Sequence, residues 1–199
     1  MSAVTFAILR HAATAWNEQG RLQGMTDTTL SPAGCAAARS WRLPAPVDGW
    51  RRMSSPLCRA RQTAELVRPA AAIAVDSRLR EMSFGVWEGR TLAELRAEGG
   101  ESFTATERLG LDFQPPGGES PRMTMARIGD WAADIAAAGE PVFAVSHKAA
   151  IRALLSLATG WDMTGRQPIK LDWRCLHFFS ARRDGTVTLE RPNVAMEAA

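Results

Sequence analysis

The run Val142-Phe143-Ala144-Val145 narrows the folds open to this chain more than any other stretch. It is a short continuous apolar segment between Pro141 and Ser146-His147, typical of a strand buried on both faces, as in a parallel sheet with helices packed above and below. Residues 4–9 form a second short apolar strand, and it also ends beside a histidine, within Arg10-His11. Two of the three histidines therefore stand where predicted strands finish. Open α/β sheets carry their chemistry at such carboxyl ends.

The segments between these strands predict helices and loops in alternation. Ser31 caps a helix that has Pro32 at its first position and runs from Ala33 to about Trp41. Residues 50–54 predict a strand, 57–70 a helix with Leu57, Ala60, Ala64 and Val67 on one face, and 72–76 a further strand. Residues 91–99 predict a short helix and 101–118 an irregular insertion ending in a Pro/Gly-rich turn. Ser120-Pro121 opens a helix to about Ala138, with Met125, Ile128, Trp131 or Ala132, and Ile135 inward. A helix over 149–159 follows, then strands over 170–181 and 186–191 around Asp184-Gly185. Residues 12–27, with one helical turn around 13–16, and 78–89 are ordered loops, the segments that most often carry function.

Composition excludes several classes of function. With 199 residues, 46% of them hydrophobic, one domain can bury a sizeable core, roughly 70% of its unfolded surface. The net charge of +3 comes from dispersed basic residues, and no basic stripe is interleaved with the seven tryptophans, so no nucleic acid is expected as partner. No apolar run approaches the roughly 20 residues needed to span a bilayer, and the N-terminus lacks the pattern of a signal peptide. Cys35, Cys58 and Cys175 are odd in number and lack Cys-x-x-Cys spacing, which argues against disulfides or zinc and for a reducing compartment. The expectation is a cytoplasmic protein with no membrane partner.

The chemistry gathers at a few positions. Histidine can act as nucleophile or proton shuttle, and arginine is a permanent planar cation, so Arg10-His11 suggests an anion handled covalently. Taken alone, the pair reads more simply as a chance dipeptide at a strand end. Arg59 and Arg61 open the 57–70 helix, where the dipole disfavours a cation unless something negative is near. Arg61 points to another face and reads as solvated. Glu81 stands among Leu79, Met82 and Phe84, apolar neighbours that would desolvate its carboxyl group. His177, inside the apolar run 175–179, reads as a hydrogen-bonded structural residue.

Five groups occur in order over residues 4–155: Arg10-His11-Ala12 with Thr14, Trp16-Asn17 and Arg21-Leu22-Gln23-Gly24; Asp27 with Leu30-Ser31 and Gly34; Ser54-Ser55-Pro56-Leu57 with Arg59-Ala60 and Thr63-Ala64; Leu79 and Glu81 with Gly85 and Trp87-Glu88-Gly89; and Val145-Ser146-His147. This series resembles the histidine phosphatase superfamily, also called phosphoglycerate mutase-like. The resemblance implies an α/β fold, a three-layer α/β/α sandwich with a mostly parallel central sheet. It implies one domain over 1–199, with a small cap-like insertion at about 90–119. His11 would become phosphohistidine while Arg10, Arg59 and His147 hold the phosphoryl oxygens. Asn17, Gln23 and Gly24 would join them in binding substrate, and Glu81 would protonate the leaving alcohol, then activate water. No cofactor and no metal are implied.

The substrate class is a small-molecule phosphate ester, as in the short bacterial phosphatases of the family, and a homodimer is compatible. The segment between Gly89 and Ser120 is shorter than the covering insertion of the mutases, so hydrolysis ranks above phosphoryl transfer to a second alcohol. A non-catalytic phosphate-binding or regulatory module is the rival from another class, and the presence of all five catalytic-type residues speaks against it. Phosphoryl transfer needs positioned cations and a neutral attacking imidazole whose other nitrogen is fixed by a hydrogen bond, expected here to a backbone carbonyl. Two positions depart from the family pattern, with Ala12 and Lys148 where glycines are usual. Alanine is a small change if the backbone there avoids positive φ. Lys148, at a helix start, is expected either to meet an anion, on substrate or on Glu81, or to point to solvent. The expected rim comprises 19–26, 82–89 with Trp87, and 101–118.

Overall fold

Parallel pairing of β1 (Val4–Arg10) with β4 (Val142–Ser146) forms the middle of a six-stranded sheet in the computed structural model, which describes residues 3–69 and 72–197. With β2 (Arg51–Ser54), β3 (Ala74–Val75), β5 (Leu176–Ala181) and β6 (Val187–Val194) the order is β3-β2-β4-β1-β5-β6. The first four strands run parallel, and β5 and β6 are antiparallel to their neighbours. All five residues of β4 are buried, as its unbroken apolar run requires.

Side chains alternate across the sheet and so divide the core in two. Phe6 and Ile8 of β1 pack toward α5 (Pro121–Ala138) and α6 (Lys148–Thr159). Ala7 and Leu9 face the opposite layer, with Ala60, Ala64 and Val67 of α3 (Cys58–Val67). Helix α2 (Pro32–Ser40) lies beside α3, capped by Ser31 Oγ accepting from Gly34 N–H. The Phe6 ring meets Trp131 edge-on at 5.1 Å and stacks on Phe179 at 5.6 Å, joining α5 to two central strands. This is the three-layer arrangement that the motifs imply. The loop turn near residue 15 is α1 (Ala15–Glu18), closed by a reciprocal cap between Thr14 and Asn17.

Three segments differ from expectation. The helix predicted over 91–99 continues as α4 (Leu92–Glu107), kinked where Gly100 takes φ 52°, ψ −133°. Beyond the kink Phe103 is buried against Trp87 at 5.0 Å, and this tertiary contact holds residues that lack a helical pattern of their own. Strand β5 begins at Leu176 rather than at 170, because Asp172 turns the chain, accepting from Arg174 N–H with its side chain and from Cys175 N–H with its carbonyl. The predicted 57–70 helix ends at Val67, and Ala70 lies outside the described residues. Among the described residues no helix is long and apolar enough to cross a membrane.

His177 is fully buried in β5, and its Nδ1 accepts from the backbone N–H of Asn193 at 3.2 Å, next to a bulge in the β5–β6 ladder. Burial pushes its pKa from 6.5 down to about 4. Between those values the unfolded chain binds a proton that the folded chain refuses, so stability falls as the pH is lowered, by up to about 3 kcal/mol from this group. Urea unfolding at about pH 7.5 and about pH 4.5 should show a smaller loss in His177→Asn than in wild type. An identical loss in both would mean that His177 does not carry this dependence.

Candidate active site

The register of β1 against β4 sets Arg10 opposite Ser146, and His11 N–H donates to Ser146 O at 3.0 Å. The two histidines therefore leave the sheet side by side, with ring centroids 5.0 Å apart. Ser55 joins them from the end of β2, its N–H donating to Val145 O at 3.0 Å and its Oγ lying 2.7 Å from His147 Nε2. His11 Nδ1 is 2.7 Å from the carbonyl oxygen of Ala12. A carbonyl only accepts, so Nδ1 carries the hydrogen and Nε2 keeps its lone pair. Burial first, then the charges of Arg10 and Arg59, hold the His11 pKa well below its ordinary value. His147 is lowered likewise by burial, with His11, Arg59 and Arg10 adding to it. Both rings are neutral near pH 7.

Ala12 is not among the residues with positive φ, which explains why alanine stands in for glycine there. Its N–H donates to Thr63 Oγ1 at 3.0 Å, and the Thr63 hydroxyl donates to Arg59 O at 2.7 Å, linking the β1 loop to the first turn of α3. Arg59 itself is fully buried, and its guanidinium donates to the carbonyls of Gly24 at 2.8 Å and Thr26 at 3.0 Å. Gly24 has φ 53°, and a Cβ on it would overlap the carboxylate of Glu88. That carboxylate accepts from Met25 N–H and Thr26 N–H, each at 2.9 Å, and from Phe84 N–H at 3.1 Å, tying two rim loops together. Gly24 thus lies under Arg59 rather than in the cavity wall. Arg61 is exposed, as its position on the helix implies.

Glu81 is 7% exposed, and its Oε1 accepts from Met82 N–H and Ala149 N–H, both at 3.0 Å. Its carboxyl group therefore sits at the amino end of α6, where the helix dipole favours negative charge. Arg127 of α5 holds the loop behind it, donating to the carbonyls of Arg78, Arg80 and Glu81 at 2.7–3.0 Å and pairing with Glu119 at 3.1 Å. Glu119 in turn accepts from Ser83 N–H at 3.1 Å. Sequence reasoning missed this partly buried pair, since neither residue belongs to a recognisable motif.

These groups meet in one cavity of about 600 Å³, inside the range of roughly 300–1,000 Å³ typical of small-molecule sites. Arg10, His11, Arg59 and Glu81 line it together, and His147 lies just behind. Asn17 and Gln23 also line it. Their side-chain oxygens are engaged, by Thr14 N–H at 3.1 Å and by Thr28 Oγ1 at 2.6 Å respectively, so each turns its NH₂ to other partners. Trp87, expected at the rim, instead packs on Phe103 and Phe113, and of this group Phe113 reaches the cavity. Lys148 lines the cavity as the first residue of α6 and makes no ion pair with Glu81. Its Nζ lies 5.7 Å from the Trp173 ring centre. Arg152, one turn further along α6, was overlooked. It lines the same cavity, and the signal was its i, i+4 spacing from Lys148.

A model described as the histidine phosphatase superfamily (branch 1) matches residues 6–194. A 2,3-bisphosphoglycerate-dependent phosphoglycerate mutase of Methylobacterium radiotolerans is 30% identical over 165 residues, covering 77% of this chain and 78% of its own. Among solved structures, mycobacterial glucosyl-3-phosphoglycerate phosphatase complexed with VO3 superposes with a TM-score of 0.77 at 28% identity, over 97% of this chain and all of the other. A phosphoserine phosphatase variant of Entamoeba histolytica bound to phosphoserine gives a TM-score of 0.78 at 26% identity, over 96% of both chains. With a nucleophile-competent imidazole among arginines at the end of β1, and a family match over nearly its whole length, this chain belongs to the histidine phosphatase superfamily.

Proposed function

We propose that the protein is a phosphomonoesterase that passes the phosphoryl group of a small metabolite to His11 and then to water. The observation that carries this reading is the His11 ring, neutral, fixed through Nδ1 to the Ala12 carbonyl and set in a cavity with Arg10 and Arg59. In the first step Nε2 forms a bond to phosphorus as the ester P–O bond breaks. Arg10, Arg59 and His147 take the charge that spreads over the phosphoryl oxygens, and Asn17 and Gln23 add NH₂ donors. Glu81, in its acid form, delivers a proton to the departing alcohol. In the second step Glu81 takes a proton from water, whose oxygen attacks phosphorus. The N–P bond then breaks and inorganic phosphate leaves.

Residues 90–119 serve as a cap-like insertion within a single domain, since Leu92, Glu107, Gly110 and Phe113 close one side of the cavity. The three cysteines are free thiols, which suits the reducing cytoplasm. Transfer to a second alcohol, the reaction named for the mutase relatives, shares the first step and differs only in whether water or an alcohol accepts from His11.

Four outcomes test this reading. His11→Ala should abolish turnover of a phosphomonoester panel, while rapid quenching of wild type with labelled ester should trap an acid-labile, base-stable phosphoryl adduct. Turnover should survive a metal chelator, because the cations come from side chains. Glu81→Gln should slow hydrolysis of an alkyl phosphate by roughly 10²–10⁴-fold and of p-nitrophenyl phosphate much less, since the latter leaving group needs little protonation. Equal loss on both esters would remove Glu81 from the acid role. Phosphorus NMR of phosphoglycerate incubated with enzyme should show inorganic phosphate. Interconversion of its isomers without phosphate release would favour the mutase.

A further inference from the structure

We infer that the cavity holds a second anion subsite, built by Lys148 and Arg152 on α6, and that the substrate is a phosphate ester whose other end carries a carboxylate or a second phosphoryl group. This inference rests on the phosphatase reading and names the substrate class for it.

The charge inventory of the cavity leads to it. Arg59 is already bonded to two carbonyls. Of the remaining charged lining residues, Arg21 donates to Gly89 O and Glu107 pairs with Arg96, so both are occupied. Arg10, Lys148 and Arg152 have no hydrogen-bond or ion-pair partner among the described residues, and Nε of Arg152 is buried without one. Glu81, the nearest carboxylate to them in the cavity, spends Oε1 on two backbone N–H groups and forms no ion pair. A phosphate dianion beside His11 matches Arg10 and Arg59. That leaves two cations further along the same wall that feel the charge of Glu81 but have no ion-pair partner of their own.

Both stand beside aromatic rings, Arg152 half-buried and Lys148 exposed at the surface of the cavity. The Lys148 ammonium and the Arg10 guanidinium stand 5.7 and 6.0 Å from the Trp173 ring centre, and the Arg152 guanidinium 4.9 Å from that of Trp161. Cation–π contacts of this kind keep a cation over apolar surface without neutralising it. The 160–175 loop brings both indoles to α6, and its Met163 lines the cavity as well. Burial and the neighbouring charges of Arg10 and Arg152 lower the Lys148 pKa against the opposing pull of Glu81, so the site gains when an anion arrives. At the helix start Lys148 opposes the dipole, a placement that an anionic ligand corrects. The other wall, with Leu22, Phe84 and Phe113, is apolar and suits the carbon skeleton between the two anions.

The test is a matched pair of esters, 3-phosphoglycerate and glycerol 3-phosphate, which differ in a carboxylate against a CH₂OH, with glycerol 1,3-bisphosphate, which has no carboxylate, as the phosphoryl-tailed arm. Wild type should prefer an acidic-tailed ester by about tenfold or more in kcat/KM, the yield of one partly desolvated charge pair. Whichever acidic arm leads tells carboxylate from phosphoryl. In Lys148→Ala and in Arg152→Ala that selectivity ratio should collapse toward one, and Lys148→Arg should retain it, with thermal unfolding confirming that each variant is folded. A wild-type ratio near one, or a ratio that survives both alanine variants, overturns the subsite and leaves the phosphatase reading standing. If wild type hydrolyses no ester, the phosphatase reading fails, and calorimetric binding of the same pair then decides the subsite. Tighter binding of 3-phosphoglycerate that Lys148→Ala removes supports it, and equal binding overturns it.

Discussion

The hydrogen-bonded register between β1 and β4 is the constraint on which the site depends. Because Arg10 lies opposite Ser146, the peptide after each strand delivers an imidazole to the same point. A slip by one residue would turn every side chain of β1 to the other face, sending Phe6 and Ile8 out of the α5–α6 layer and His11 away from His147. The apolar packing that forbids this slip also keeps water from both rings. Core formation and the neutrality of the nucleophile therefore have one cause, the burial of the central strands.

What was legible in the sequence follows from how local the signal is. The strand run 142–145, the Ser31-Pro32 and Ser120-Pro121 helix starts and the ends of β1 and β4 are each written in a few neighbouring residues, and the structure has them all. The motif residues Arg10, His11, Arg59 and Glu81 converge on one cavity because the α/β topology brings the strand ends together. Other features depend on distant partners. His147 is oriented by Ser55, 92 residues earlier, and Glu81 is held by Arg127, 46 residues later. Lys170 to Cys175 look strand-like until Asn193 binds them, accepting from Asp172 N–H and donating to Lys170 O. Gly24 reads as part of a binding motif, yet its role is to let a carbonyl reach Arg59 past a carboxylate.

The positive charges around the cavity carry a cost in the free protein, since like charges at close range oppose folding and leave buried donors unpaired. The fold limits that cost unevenly. Arg127 is satisfied by carbonyls and Glu119, whereas Arg59 is anchored by two backbone carbonyls and keeps an unpartnered Nε. Arg10, Lys148 and Arg152 are supported mainly by aromatic faces. Local rules of self-complementarity are relaxed at this one wall, as is usual where a protein meets its ligand.

Glu88 has a wider consequence. By gathering the amides of Met25, Thr26 and Phe84 it makes one rigid body of the two loops that carry Arg59's carbonyl partners and Glu81. Ordering this half of the pocket is completed during folding, so a phosphoryl group meets it with little further loss of chain entropy. The opposite half, from α6 through the 160–175 loop to the kinked α4, shares none of those ties. Apart from the Ala149 N–H that holds Glu81, side chains there can change without touching the groups that handle phosphorus, so the pocket divides into a fixed engine and an adaptable socket for the rest of the substrate.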